Sequence, residues 1–143
     1  MELTLDEQIL ILLRERGPLA SEEIAHYLGR NVNEVKDELQ YLELDKLITR
    51  VKRGGILFRK EVFDLTPTGL EEAQKAYEKL REISHEILSR ISSMNEKELE
   101  EFLNQYMALM PLIMILNLLP FEMLIWVLGG SSTAHDNSAY SNN

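Results

Sequence analysis

The sequence predicts a mainly α chain with a small β-hairpin, on three observations. Short capped helical segments follow one another through the first 45 residues, a β-rich stretch with a glycine pair interrupts them, and a long segment with apolar residues spaced by three and four comes after.

The elements can be justified in order. Thr4 with Glu7 three residues on is a capping box, and Ile9, Leu12 and Leu13 share a helical face until Gly17 and Pro18 stop the element. Ser21 opens a short second helix, SEEIAHYLG, with Ile24 and Leu28 inward and Gly29 at its close. Asn31 with Glu34 makes a further box, and Val32, Val35, Leu39 and Leu42 form the stripe of a third helix that runs to Asp45. LITRV and ILFRKEVFDL are rich in β-branched and aromatic residues. With KRGG between them they read as a hairpin whose tip is basic.

Thr66 and Pro67 then cap and start a long helix. Along it Leu70, Ala73, Tyr77, Leu80, Ser84, Ile87, Ile91 and Met94 form a heptad seam with one polar member, Ser84. Glu71 with Lys75, and Glu86 with Arg90, add i to i+4 pairs on the outer face. A seam of this length predicts a partner helix, and Leu70, Tyr77, Leu80, Ile87 and Ile91 are the expected homodimer interface.

Asn95 and Glu98 cap another helix, which turns apolar on every side from Met107 to Leu128, MALMPLIMILNLLPFEMLIWVL, with Pro111, Asn117, Pro120 and Glu122 as interruptions. Residues 107–128 are long enough to cross a bilayer. A carboxylate in the hydrocarbon costs roughly 2.5 kcal/mol or more. With two prolines beside it, a buried oligomer core is the first expectation and a membrane anchor the second. The final stretch, GGSSTAHDNSAYSNN, has almost nothing that packs and reads as a disordered polar tail.

Composition narrows the function classes. At 143 residues and 45% hydrophobic, the chain can bury a substantial core. It has no cysteine, so neither a disulfide framework nor a thiolate metal site is available, and an intracellular, cytoplasmic protein is expected. The opening MELTLDEQ has acidic residues where an export signal has basic ones. Formal net charge is −9, yet six of the fifteen cations (Lys46, Arg50, Lys52, Arg53, Arg59, Lys60) lie between 46 and 60 without a single carboxylate. The remaining nine stand against 24 carboxylates, a net of −15 elsewhere. Contact with a polyanion would therefore be local and oriented.

Enzymatic chemistry finds little purchase. In HEILS, His85 and Glu86 are followed by Ser89 where a zinc protease needs its second histidine. Gly54 and Gly55 lack the longer glycine spacing and the Lys-Ser/Thr pair of a phosphate loop. No enzyme, metal site or cofactor is implied, and no residue pattern identifies a small-molecule effector.

PLASEEIAHYLGRNVNEVKDELQYLELDKLI followed by RVKRGGILFRKEVFDLTPTGLEEA resembles the winged-helix transcription regulators, the MarR and PadR type in particular, over residues 4–92. LTPTG looks like that group's strand-to-helix junction. The resemblance implies a winged helix-turn-helix, a long dimerisation helix and, outside the pattern, apolar C-terminal helices. It divides the chain into a winged-helix DNA-binding domain at 1–66, a helical dimerisation region at 67–128 and the tail at 129–143.

The implied function is a sequence-specific DNA-binding transcription regulator acting as a homodimer on double-stranded DNA. In such a protein Arg50, Lys52, Arg53, Arg59 and Lys60 of the wing would neutralise phosphates, with Gly54 and Gly55 allowing the tight turn. Asn33, Lys36, Gln40 and Tyr41 of the third helix would face the bases. Glu34 and Asp37 share that face, where the family usually shows basic or hydroxyl residues. They support the alternative, a winged-helix protein-docking adaptor, tethered in one version to a membrane through 107–128.

Overall fold

The computed structural model describes residues 2–125. The chain divides into two compact units, Met1–Ile83 and Ser84–Asn143.

In the first unit, α1 (Leu5–Arg16) carries both halves of its box: Thr4 accepts from the Glu7 N–H, and Glu7 accepts from the Thr4 N–H at 3.0 Å. Every residue from Gln8 to Leu13 is buried, so α1 is enclosed on nearly all sides rather than along one stripe. It packs against α2 (Ser21–Leu28), α3 (Val32–Leu44) and β2 (Arg59–Leu65). Ile9, Ile11, Leu12, Leu13, Ile24, Leu28, Leu39 and Leu42 are fully buried there, and each contributes about 1.5–3 kcal/mol by leaving water.

Two caps differ from expectation. The N-cap of α2 is Ala20, one residue earlier than Ser21; Ala20 offers no acceptor, and its own N–H donates to Glu23 at 2.9 Å. At α3 the Asn31 side chain does cap, accepting from the Asn33 N–H at 2.8 Å, but Glu34 pairs with Arg30 instead of closing a box. Lys46 ends α3 at φ 62°, and the Leu47 N–H returns to the Leu42 carbonyl at 3.0 Å.

β1 (Ile48–Gly54) pairs antiparallel with β2, from Ile48 opposite Leu65 to Gly54 opposite Arg59. This register corrects the expected turn. Lys52 and Arg53 belong to β1, and the loop is 55–58. Gly54 decides it: φ is 122°, and a Cβ there would collide with the Phe58 carbonyl. Gly55 meets no such constraint. Ile56, Leu57 and Phe58, which composition assigns to a strand, are therefore turned out at the tip. A third chain segment joins the edge of β2, where Leu19 and Phe63 exchange both backbone hydrogen bonds, at 3.2 and 2.8 Å.

The LTPTG junction ties three elements together. The Thr66 N–H donates to the Leu47 carbonyl at 3.0 Å; its hydroxyl donates to the Lys46 carbonyl at 2.7 Å and accepts from the Gly69 N–H at 3.0 Å. Gly69 lies so close to the Leu47 carbonyl that a Cβ would overlap it. From this knot α4 (Pro67–Ile91) departs.

The second unit contains the last part of α4, then α5 (Glu96–Asn104), a 3-10 turn (Met107–Leu109), α6 (Met110–Ile115) and α7 (Phe121–Ile125). Asn95 caps α5 by accepting from the Glu98 N–H at 2.9 Å. Phe102, Leu103, Met110, Leu112 and Ile113 are buried, and the Arg90 guanidinium lies 5.5 Å from the Phe102 ring.

The structure corrects one expectation for the C-terminal half. Residues 107–128 were expected to form a helix apolar on every side, but the described part breaks into short pieces: Asn117, at φ 54°, stops α6 as a left-handed cap, and Pro120 precedes α7. Among the described residues no helix is long and apolar enough to cross a membrane. Residues 126–128 and the expected tail at 129–143 lie outside the described residues. Of the heptad seam, Leu80 and Ile87 are fully buried within the single chain. The same three-four spacing that suits a partner helix serves α4 for packing on its own protein. Leu70 is 51% exposed, and Tyr77 and Ile91 are half-buried.

Candidate nucleic-acid interface

α3 buries Val35, Leu39 and Leu42, which turns Asn33, Glu34, Lys36, Asp37, Gln40 and Tyr41 outward. Tyr41 is 63% exposed. The face is less acidic than its composition suggests. Glu34 is bound by Arg30 from the end of α2, while Lys36 stands 3.8 Å from Glu22. Arg30 is a contributor that the sequence reading missed, although its i to i+4 spacing from Glu34 was the available signal. Deeper on the same helix, burial followed by the charges of Asp6, Glu34 and Asp37 raises the carboxyl pKa of Glu38.

The hairpin stands beside this helix, and Arg50 joins them. Its Nε donates to both Glu43 oxygens at 2.9 Å and its Nη1 to Glu61 at 3.2 Å, with the Phe63 ring 5.5 Å away. The hydrogen bond that Arg50 donates to Glu43, with the charge of Glu61 behind it, raises the guanidinium pKa further. Arg50, expected to neutralise phosphate, here pairs with two carboxylates while its side chain stays 44% exposed. Lys60 likewise pairs with Glu23 at 3.0 Å. The Ala20 N–H, and then Lys60, hold the Glu23 carboxyl below its usual range.

Lys52, Arg53 and Arg59 make no ion pair or hydrogen bond among the described residues. They sit at the outer end of the hairpin, Arg53 opposite Lys60 and Arg59 opposite Gly54. Between the helix and the hairpin base Ser21, Lys36, Gln40, Arg50, Glu61 and Phe63 help line a cleft of about 270 Å³. Among the described residues no group of three or more His, Asp or Glu side chains could hold a metal ion.

No protein-family model matches the chain, and no curated protein does. Solved structures do. A mutant of ZitR from Lactococcus lactis in its apo form aligns with a TM-score of 0.57 at 20% identity, over 73% of this chain and 78% of that one. AdcR, the adhesin competence repressor of Streptococcus pyogenes, aligns at 0.59 and 20%, over 76% and 79%. The fold is a MarR-type winged helix. In those terms α2 and α3 are the helix-turn-helix, β1 and β2 the wing, and the Leu19–Phe63 bridge lies at the wing's base. The knot at Thr66 and Gly69 fixes where α4 leaves the winged helix.

Proposed function

We propose that this chain is a sequence-specific DNA-binding transcription regulator and not an enzyme, with the recognition helix in the major groove and the wing along the backbone. The observation that carries the reading is the division of labour between two neighbouring elements. α3 presents uncharged amide side chains, Asn33 and Gln40, while the wing beside it presents cations free of partners, Lys52, Arg53 and Arg59. Amides can pair with adenine edges, and free cations can replace counterions on phosphates. Lys36 and Tyr41 complete the groove-facing set, and Lys60 assists when it leaves Glu23. The fold it shares with the adhesin competence repressor AdcR supports the reading.

The winged-helix domain at 1–66 is the DNA-binding part, and 67–128 the dimerisation part. A homodimer accounts for the apolar side chains that a single chain leaves in water: Leu70 on α4, and Met107, Met114, Phe121 and Ile125 further on. Tyr77 and Ile91 would join that contact at its edge, while Leu80 and Ile87 support it from inside. The protein would act in the cytoplasm.

Binding of the full chain to random duplex DNA across a salt series tests this. The expected result is affinity that falls linearly on a log-log scale with salt. Absence of duplex binding at low salt would overturn the proposal.

A further inference from the structure

Ile56, Leu57 and Phe58 at the wing tip are 95%, 87% and 85% exposed. Among the described residues no other run of three large apolar side chains is so open to water. Their surroundings are unlike those of an ordinary apolar patch. Immediately behind the tip, positive charge stands on both strands, with Arg59 opposite Gly54 and Arg53 opposite Lys60, and at the next pair Lys52 faces Glu61. Further back the charge reverses, at Glu61 on β2 and at Glu22, Glu23 and Glu43 on the adjoining helices.

We propose that the wing tip is an apolar wedge that enters the minor groove, partly unstacks one base step and bends the duplex. This rests on the reading that the unit binds DNA. Two paired strands lie about 4.8 Å apart and the minor groove is about 6 Å wide, so a hairpin enters end-on, not broadside. The walls of the groove are phosphate-bearing backbones, and the cations of each strand meet one wall. The floor is the edge of the base stack, where Leu57 and Phe58 arrive with no polar group to offer. Apolar side chains placed there insert between base pairs and kink the helix toward the major groove. A flat anionic membrane suits the tip alone, but it has no pair of walls to meet the cations of both strands.

A wedge reads sequence through deformability. Pyrimidine–purine steps such as TpA unstack at least cost, and A-tracts resist. The full chain and its Leu57→Ser/Phe58→Ser variant, which keeps every cation, are titrated into two duplexes of about 30 bp, one with central TpA steps and one with a central A-tract. End-to-end energy transfer reports the bend, and 2-aminopurine at the central step reports unstacking. The parent protein is expected to shorten the TpA duplex, raise its 2-aminopurine fluorescence and prefer it by about tenfold. The variant, with an unchanged melting temperature because both side chains are exposed, should bind both duplexes alike, with the same salt slope and no bend. Parent binding without bending or unstacking overturns the wedge and leaves the DNA-binding reading intact, as does a variant that bends like the parent. No duplex binding by the parent overturns both. Sedimentation of the parent, but not the variant, with phosphatidylserine vesicles while DNA stays straight would make the tip a lipid contact and overturn the wedge.

Discussion

Arg50 of β1 and Glu43 of α3 are joined through one nitrogen, the Arg50 Nε, which donates to both carboxylate oxygens, each at 2.9 Å. Seven residues apart in sequence, they brace β1 against the last turn of α3, and Glu61 holds the same guanidinium from β2. The brace fixes the spacing between the element that would read bases and the element that would hold phosphates.

Replacing Arg50 by Ala should therefore leave the salt slope of DNA binding unchanged while lowering affinity by misplacing the wing. The pair is partly exposed, so the loss of folding stability should stay within about 1 kcal/mol. A double-mutant cycle with Glu43→Ala measures the coupling, and a slope that drops by about one unit in Arg50→Ala would mean that Arg50 touches phosphate after all.

Lys52 and Arg53 behave oppositely. Changing both to Ala should weaken binding to every sequence alike and flatten the salt slope by about 2 units, at about 0.9 per lost phosphate contact. Filter binding over a range of salt concentrations reads both quantities, and an unaltered slope would remove these residues from the backbone contact.

On α3, Asn33→Ala and Gln40→Ala should each relax discrimination among sites by roughly 1–3 kcal/mol while leaving affinity for random DNA nearly intact. Selection from a random pool checks this. If both variants enrich the parent's sequences, base readout lies elsewhere.

Gly69→Ala tests the knot between α4 and the end of α3. The added methyl meets the Leu47 carbonyl, which is itself fixed by the Thr66 N–H. A cost of roughly 1–3 kcal/mol is expected from overpacking, visible as a lower midpoint in urea. Alanine tolerated without loss would show that the junction has room to move.

Glu23 gives a pH dependence. Its pKa is depressed in the folded chain by the Ala20 N–H and Lys60, from an ordinary value of 4.5. A depressed carboxylate contributes stability above its unfolded pKa and loses it as pH falls through the folded value. The parent should thus exceed Glu23→Gln in stability at neutral pH, and the gap should narrow as pH falls below 4.5 and through the lower folded value. Thermal melts of both proteins at several pH values check the sign; a gap that widens in acid would contradict it.

Much of this was legible in the sequence because it is local. Thr4 with Glu7, Asn31 and Asn95 announce helix starts through side chains that reach only a few residues. The order of helices, hairpin and long helix follows from those caps and from the break at Gly54. Less legible was anything settled at a distance. Arg50 looks like its basic neighbours until α3 brings Glu43 beside it. Leu80 and Ile87 satisfy a heptad rule equally well whether the facing surface is a partner or the same chain. Ile56, Leu57 and Phe58 have strand composition, and only the register, set by one glycine's φ, puts them outside the strand. In the apolar segment Asn117 was seen as a polar interruption, but its left-handed backbone, which ends α6, is a property of the fold.

The central claim is that one polyanion engages α3 and the wing together. Hydrogen exchange of the full chain, alone and saturated with a duplex enriched from a random pool, tests it most directly. The account predicts slowed exchange in Val32–Leu44 and Ile48–Gly54, through the tip and into Arg59–Leu65, and little change in Glu96–Asn104. Protection confined to Glu96–Asn104, or a pool from which no duplex is enriched, would contradict it.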